Sequence, residues 1–184
     1  MTIRVIRAGE HIQRIPGFGM SVRESGVAVA AAALTNFFTA SYTGSRNDFS
    51  GNVGFWFTPT ENITVTALGR SISTAIAQNH RVRIYARADW STVADVTITS
   101  TSPADALGYA YETLSSPVTL TSGTAYAISS NEYSGGDLWQ SLGAVDNHAA
   151  NATIEGGCYG IGEAIPDFMS GVGQAYVPPT FFYT

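Results

Sequence analysis

The sequence predicts an all-β protein, an antiparallel β-sandwich of jelly-roll-like type with an extended N-terminal arm. Three observations lead to this prediction. Short runs of β-branched and aromatic residues recur along the chain, Gly, Pro, Asn, Asp or Ser residues separate them, and no segment combines a helical period with helix caps. Roughly eight to eleven short strands at this spacing are typical of a sandwich or a jelly roll.

Seven segments carry the strand pattern most clearly. They are VGFWF (53–57), ITVTAL (63–68), HRVRIYA (80–86), VADVTIT (93–99), VTL (118–120), TAYAIS (124–129) and PTFFY (179–183). Weaker candidates lie at Thr2–Arg7, His11–Ile15, Asn36–Tyr42 and Ala152–Cys158. The run VAVAAAAL (27–34) is the one place that favours a short helix, because consecutive alanines favour helix over strand.

The length of 184 residues fits a single domain with its own core. Residues 1–20 differ from the rest of the chain in composition, since they are rich in arginine and end in IPGFG. A cluster of proline and glycine is typical of a bend. We therefore predict an N-terminal arm over residues 1–20 and one sandwich domain over residues 21–184.

Composition and charge exclude several classes of partner. Charged residues make up 12% of the chain, all nine basic residues are arginines within the first 87 positions, and the net charge is −5. A negative chain without a dense basic patch is not expected to bind nucleic acid. The apolar run at 27–34 is too short for a membrane span and follows too long a polar leader for a secretory signal peptide.

Residues with catalytic or metal-binding chemistry are sparse. Cys158 is the only cysteine, so we expect no intrachain disulfide and a buried thiol. The three histidines are scattered, and we expect them on the surface or at strand ends. A calcium site formed by Glu132 and Asp137, with Asp146 and Asn147, is a weaker alternative because the repeated Asp pattern is absent. We expect no cofactor, no metal and no enzymatic activity.

From Val53 onward the order of motifs resembles a β-sandwich accessory module of bacterial extracellular and phage proteins. Four strings carry the resemblance: VGFWFTPTENITVTALGR (53–70), HRVRIYAR (80–87), YETLSSPVTLTSGTAYAISSNEYSGGDLWQ (111–140) and YVPPTFFYT (176–184). The most specific part is PVTLTSGTAYAISSNE, in which a strand enters a glycine-containing turn and returns as the next strand. The resemblance implies a jelly-roll sandwich of the kind attached to enzymes, adhesins or tail fibres. The first 50 residues have no counterpart in it.

The loop SNEYSGGDLWQ (130–140) carries the candidate ligand-binding residues Glu132, Tyr133, Asp137 and Trp139. An aromatic ring stacks on the apolar face of a sugar while carboxylates accept hydrogen bonds from its hydroxyls. The loop therefore predicts glycan binding. The alternative is that Trp139 closes one end of the core, as a tryptophan directly after a turn often does.

The N-terminal arm carries the candidate assembly residues Ile3, Arg4, Val5, Arg7 and Arg14. An isolated strand needs a sheet edge to satisfy its backbone, and a neighbouring subunit offers one. We therefore expect a structural or decorating protein of an assembled particle, most plausibly a phage virion, as a capsid decoration or a tail or fibre component. Its partners would be its own copies or other virion proteins, and it would be assembled in the host cytoplasm. The alternative function is a carbohydrate-binding module that uses the loop from Glu132 to Trp139.

Overall fold

A computed structural model describes residues 34–42, 44–73, 75–143, 148–172 and 174–184. The described residues form strands and no helix, which confirms the all-β prediction. The strands are β1 (Thr35–Asn36), β2 (Gly51–Pro59), β3 (Ile63–Ser71), β4 (His80–Ala86), β5 (Thr92–Ile98), β6 (Tyr109–Leu120), β7 (Tyr126–Glu132), β8 (Gln140–Leu142), β9 (Ala152–Ile161), β10 (Phe168–Val172), β11 (Ala175–Val177) and β12 (Pro179–Tyr183). The described part of the chain has no helix long and apolar enough to cross a membrane.

The strands form three antiparallel sheets. One sheet has the order β1-β12-β3-β6, a second has the order β10-β9-β2-β7-β4-β5, and a small third sheet pairs β11 with β8. The chain crosses repeatedly between the two large sheets, since β2, β4 and β7 lie in one while β3, β6 and β12 lie in the other. This interleaving confirms the predicted antiparallel, jelly-roll-like sandwich.

Phenylalanine rings fill the space between the two large sheets. The Phe37 ring stacks on Phe181 from one sheet at a centroid distance of 4.5 Å and on Phe55 from the other at 5.6 Å. Phe55 and Phe57 of β2 face this core, while Trp56 between them packs with Tyr85 and Trp90 in a separate cluster. Alternation along a strand explains this division. Each fully buried ring contributes roughly 1.5 to 3 kcal/mol to stability.

The predicted strand at Asn36–Tyr42 is wrong in extent. Only Thr35–Asn36 forms regular pairing, with β12, and Phe38 makes an isolated bridge to His148. Phe37 and Phe38 are both fully buried in the core. An extended strand would turn one of two consecutive side chains away from that core, so the chain departs from strand geometry here.

The small β8–β11 sheet positions the candidate site. β11 packs alongside β2 and β9, and the edge strand β10 pairs with β9. Side chains from β2, β9, β10 and β11 therefore meet at one side of the sandwich. The predicted arm, with Ile3, Arg4, Val5, Arg7 and Arg14, lies outside the described residues. So do the weaker strand candidates at 2–7 and 11–15 and all but the last residue of the run at 27–34.

Candidate functional site

A cleft of about 400 Å³ opens where these strands meet, and we call it the aromatic cleft. Its walls come from β2, β9, β10 and β11 and from the loops before β2 and before β8. The lining residues are Arg46, Phe49, Val53, Trp139, Tyr159, Ser170 and Tyr176. A cleft of this size fits one or two sugar-sized groups, since ligand pockets range from about 300 to 1,000 Å³.

Aromatic rings hold one another in place around the cleft. Trp139 and Tyr176 meet edge to face with centroids 5.4 Å apart, and Phe49 and Tyr159 do the same at 5.9 Å. Tyr159 also stacks on the exposed ring of Phe168 at 5.5 Å. Tyr159 and Tyr176 are half-buried, whereas Trp139 is only 1% exposed. The two tyrosine rings, with the half-buried Phe49, are therefore the ones with surface to offer a ligand.

Arg46 covers the face of Trp139 at one side of the cleft. Its guanidinium carbon lies 4.5 Å from the centroid of the Trp139 ring and 5.8 Å from that of Tyr176. Backbone hydrogen bonds in both directions between Arg46 and Trp139 fix this placement. Asp48 accepts hydrogen bonds from Nε and Nη2 of Arg46 at 2.9 and 3.2 Å. These bonds raise the pKa of Arg46, so its guanidinium stays protonated with the Asp48 carboxylate as its counter-charge.

Gly157 on β9 keeps the floor of the cleft open. A Cβ atom at this position would lie 2.6 Å from Ser170 Oγ and 3.5 Å from the ring of Tyr176. Glycine inside a strand often marks a site of close approach, and here it leaves room between β9, β10 and β11.

Two buried polar atoms on the lining residues have no hydrogen-bond partner among the described residues. They are Trp139 Nε1 and Ser170 Oγ. Most buried polar atoms in proteins are paired, so each unpaired one requires an explanation. These two atoms are closed off from solvent, so they mark unmet hydrogen-bonding capacity in the wall of the cleft.

The carboxylate of Glu132 does not reach the cleft, because it is buried in an ion pair. Arg70 donates from Nε and Nη2 to the two oxygens of Glu132 at 3.0 and 2.6 Å, and Ser130 Oγ donates to the same carboxylate at 2.5 Å. Arg70 and Glu132 are each about 1% exposed. Burial alone would raise the pKa of Glu132, but the charge of Arg70 and the hydrogen bond from His80 lower it overall.

His80 joins Glu132 to Asp137. Its Nδ1 donates to the carbonyl of Asn131 at 2.8 Å and lies 3.2 Å from the Glu132 carboxylate, while its Nε2 lies 2.9 Å from Asp137 Oδ2. Burial lowers the pKa of His80, but Glu132 and Asp137 outweigh this effect and raise it. Since both ring nitrogens face acceptors, the imidazolium form is favoured.

Asp137 fastens the segment that precedes β4. Its carboxylate accepts hydrogen bonds from the backbone amides of Ala77 and Gln78 in addition to its contact with His80. Burial raises the pKa of Asp137, but the hydrogen bond with His80 and those from the two amides lower it overall. Arg70, His80, Glu132 and Asp137 thus form a buried charged network that ties together the ends of β3, β4 and β7.

These positions correct the predicted ligand site. Glu132 and Asp137 are already occupied, so they do not offer free acceptors to sugar hydroxyls. Trp139 does not present a free ring face, because Arg46 covers it. Tyr133 is 43% exposed, but it lines a different surface depression with Gln78 and Asn79. The loop therefore contributes Trp139 to the wall of the aromatic cleft, and through Asp137 it holds the segment before β4 in place.

The other predicted residues fall into three groups. Cys158 is a buried free thiol, as predicted, and burial raises its pKa well above the usual value. His80 lies at a strand end, one of the two predicted kinds of position, and the charged network encloses it. Asp146 and Asn147, from the calcium alternative, lie outside the described residues, and in the described part of the chain no group of three or more His, Cys, Asp or Glu side chains is arranged to hold a metal ion.

The sequence-based reasoning missed most residues of the cleft. Arg46, Phe49, Tyr159, Ser170 and Tyr176 come from four separate segments, and no local pattern connects them. One signal was available in the GG pair that precedes Cys158 and Tyr159, since adjacent glycines in a strand indicate close packing of another group.

Comparison with known proteins places the chain in a family. A search of curated proteins finds no match to the sequence. The family described as Domain of unknown function (DUF4082) matches residues 37–171, about three quarters of the chain, and the chain therefore belongs to that family.

Proposed function

We propose that this protein is a non-enzymatic binding module that takes a saccharide in the aromatic cleft. The observation that carries the proposal is the cleft of about 400 Å³ whose half-buried rings, Tyr159 and Tyr176, stand beside two unpartnered polar atoms. Sugars combine an apolar ring face with polar edges, so a site for them needs both features.

The resemblance to sandwich modules attached to bacterial enzymes, adhesins and tail fibres supports this proposal. Such a module contributes binding, and the chemistry belongs to the protein that carries it. In the cleft, the aromatic side chains and Gly157 shape a surface, while Arg46 and the hydroxyls of Tyr159 and Tyr176 provide hydrogen-bonding groups. This arrangement suits recognition of a polar ring.

Replacing Tyr176 by alanine is expected to weaken saccharide binding by about tenfold, which corresponds to about 1.4 kcal/mol. The half-buried ring would lose its stacking surface, while the two large sheets and their core stay in place. Glycan-array binding followed by titration calorimetry measures the change, and thermal unfolding checks the fold.

Tyr133→Ala is the matched control, because Tyr133 is an exposed tyrosine outside the cleft. Its removal is expected to leave binding unchanged. If Tyr133→Ala abolishes binding while Tyr176→Ala does not, the cleft is the wrong site. If the wild-type protein retains no saccharide on the array, the proposed function itself fails.

A second candidate function is the structural role in an assembled particle that the sequence suggests. The edge strand β10 carries exposed apolar side chains, with Phe168 54% and Val172 83% exposed, and Ile161 stands at the adjacent end of β9. Exposed apolar groups on an unpaired sheet edge favour contact with another chain.

The double variant Phe168→Asp/Val172→Asp is expected to reduce any self-association that the wild-type protein shows in sedimentation velocity. Two charges on the apolar edge oppose its burial against another copy. Leu34→Asp is the control, since Leu34 is 60% exposed and directly precedes β1, the edge strand of the other sheet. A wild-type protein that stays monomeric at high concentration would count against self-assembly.

A further inference from the structure

We infer that the aromatic cleft selects a saccharide that carries a carboxylate, such as a uronic acid, and that Arg46 recognises this group. The inference rests on the proposed function and specifies its ligand class. It follows from the hydrogen-bonding character of the lining residues and from the way Arg46 is held.

The polar side chains that line the cleft are rich in donors. The guanidinium of Arg46 only donates, and the hydroxyls of Ser170 and the two tyrosines both donate and accept. The described lining residues include no carboxylate. A ligand with strong acceptor oxygens matches this set better than one that presents only hydroxyl groups.

Arg46 lies against two aromatic rings, and its acidic partner is exposed. The guanidinium lies over Trp139, in an environment that the backbone bridge between the two residues fixes. Its partner Asp48 is 65% exposed, and exposed ion pairs contribute little to stability. A ligand carboxylate can therefore replace Asp48 at small cost while Arg46 remains over the ring.

Replacement of Asp48 by a sugar carboxylate conserves the charge-assisted hydrogen bonds of Arg46. A planar guanidinium pairs with a carboxylate through two parallel bonds, as it does with Asp48. The ring of the same sugar would then lie against the tyrosine side of the cleft. Arg46 thus sets the charge of the ligand, and Tyr159 and Tyr176 provide the surface for its ring.

Titration calorimetry tests this with oligomers of galacturonate, glucuronate and mannuronate, each compared with its methyl ester and its neutral parent sugar. We expect at least one acid to bind about tenfold or more tightly than its own ester. Arg46→Gln is expected to remove this preference, and Arg46→Lys to keep part of it. Asp48→Asn is expected to strengthen binding of the acid, because the competing carboxylate is gone.

The outcomes separate this inference from the proposed function. If the esters or neutral sugars bind as tightly as the acids, and Arg46→Gln changes neither, the carboxylate inference is overturned and the cleft remains a saccharide site. If no sugar of any class binds, the proposed function fails and the inference fails with it. If Asp48→Asn weakens binding of the acid, the exchange of carboxylates on Arg46 is wrong.

Discussion

Replacing Glu132 by alanine is expected to lower the free energy of unfolding by about 3 to 5 kcal/mol, because it leaves the buried guanidinium of Arg70 without a counter-charge. The network of Arg70, His80, Glu132 and Asp137 joins the two large sheets at one end, so its loss affects the whole sandwich. Chemical denaturation monitored by circular dichroism measures the change.

Asp95→Ala is the matched control for this prediction. Asp95 also pairs with an arginine, Arg81, but that ion pair is partly exposed. Its removal is expected to cost at most about 1 kcal/mol. Arg70→Met combined with Glu132→Leu is expected to recover part of the stability lost in Glu132→Ala, since apolar side chains can replace a buried pair. A loss no greater than that of Asp95→Ala would contradict the role assigned to Glu132.

The pH dependence of the free energy of unfolding gives a second test of the role of Glu132. The pKa of Glu132 is lowered in the folded protein, so its contribution is fully present above the ordinary carboxyl pKa of about 4 and is lost as the pH falls further. The difference in the free energy of unfolding between the wild-type protein and Glu132→Ala is therefore expected to narrow in acid.

The pKa of His80 is raised, so its contribution to stability is present below about pH 6.5 and is lost as the pH rises through the folded pKa.

Trp139→Ala is expected to cost about 3 to 5 kcal/mol in stability, the range for emptying a large buried aromatic position. The ring is almost fully buried beneath Arg46 and against Tyr176, so a cavity would replace it. For a domain of this size each kcal/mol lowers the melting temperature by about 2 to 4 °C. Differential scanning calorimetry measures the shift.

Trp139→Phe separates packing from hydrogen bonding. The Trp139 Nε1 atom has no hydrogen-bond partner among the described residues, so its removal leaves no other group unpaired in the free protein. We expect a much smaller loss of stability than for alanine. If Trp139→Ala unfolds at the wild-type temperature but loses all saccharide binding, the ring is a ligand contact and the account of it as a wall is wrong.

Regular alternation made much of the sandwich predictable. The strands β4 and β12 have the predicted bounds, because HRVRIYA and PTFFY each carry a full strand pattern between turn residues. The short strands β8, β10 and β11 were not predicted. β8 and β11 have only three residues each, β10 is interrupted by a serine and a glycine, and the pairing of all three depends on the neighbouring strands.

The site was less predictable, since the burial of its charged groups depends on partners far along the chain. The loop from Glu132 to Asp137 has the composition of a sugar-binding loop, but Arg70 lies 62 residues before Glu132 and neutralises it. No sequence pattern near the loop indicates that Arg70 pairs with Glu132. The aromatic cleft likewise forms only when β9, β10 and β11 come together.

Mapping a bound saccharide onto the protein tests the central claim most directly. In a two-dimensional NMR titration with an oligosaccharide that the array or calorimetry identifies, backbone amide shifts are expected to concentrate at Arg46, Tyr159, Ser170 and Tyr176, around the aromatic cleft. The amides of Gln78 and Tyr133, at the separate depression, are expected to stay in place. Shifts confined to Gln78 and Tyr133, with none around the cleft, would contradict the account.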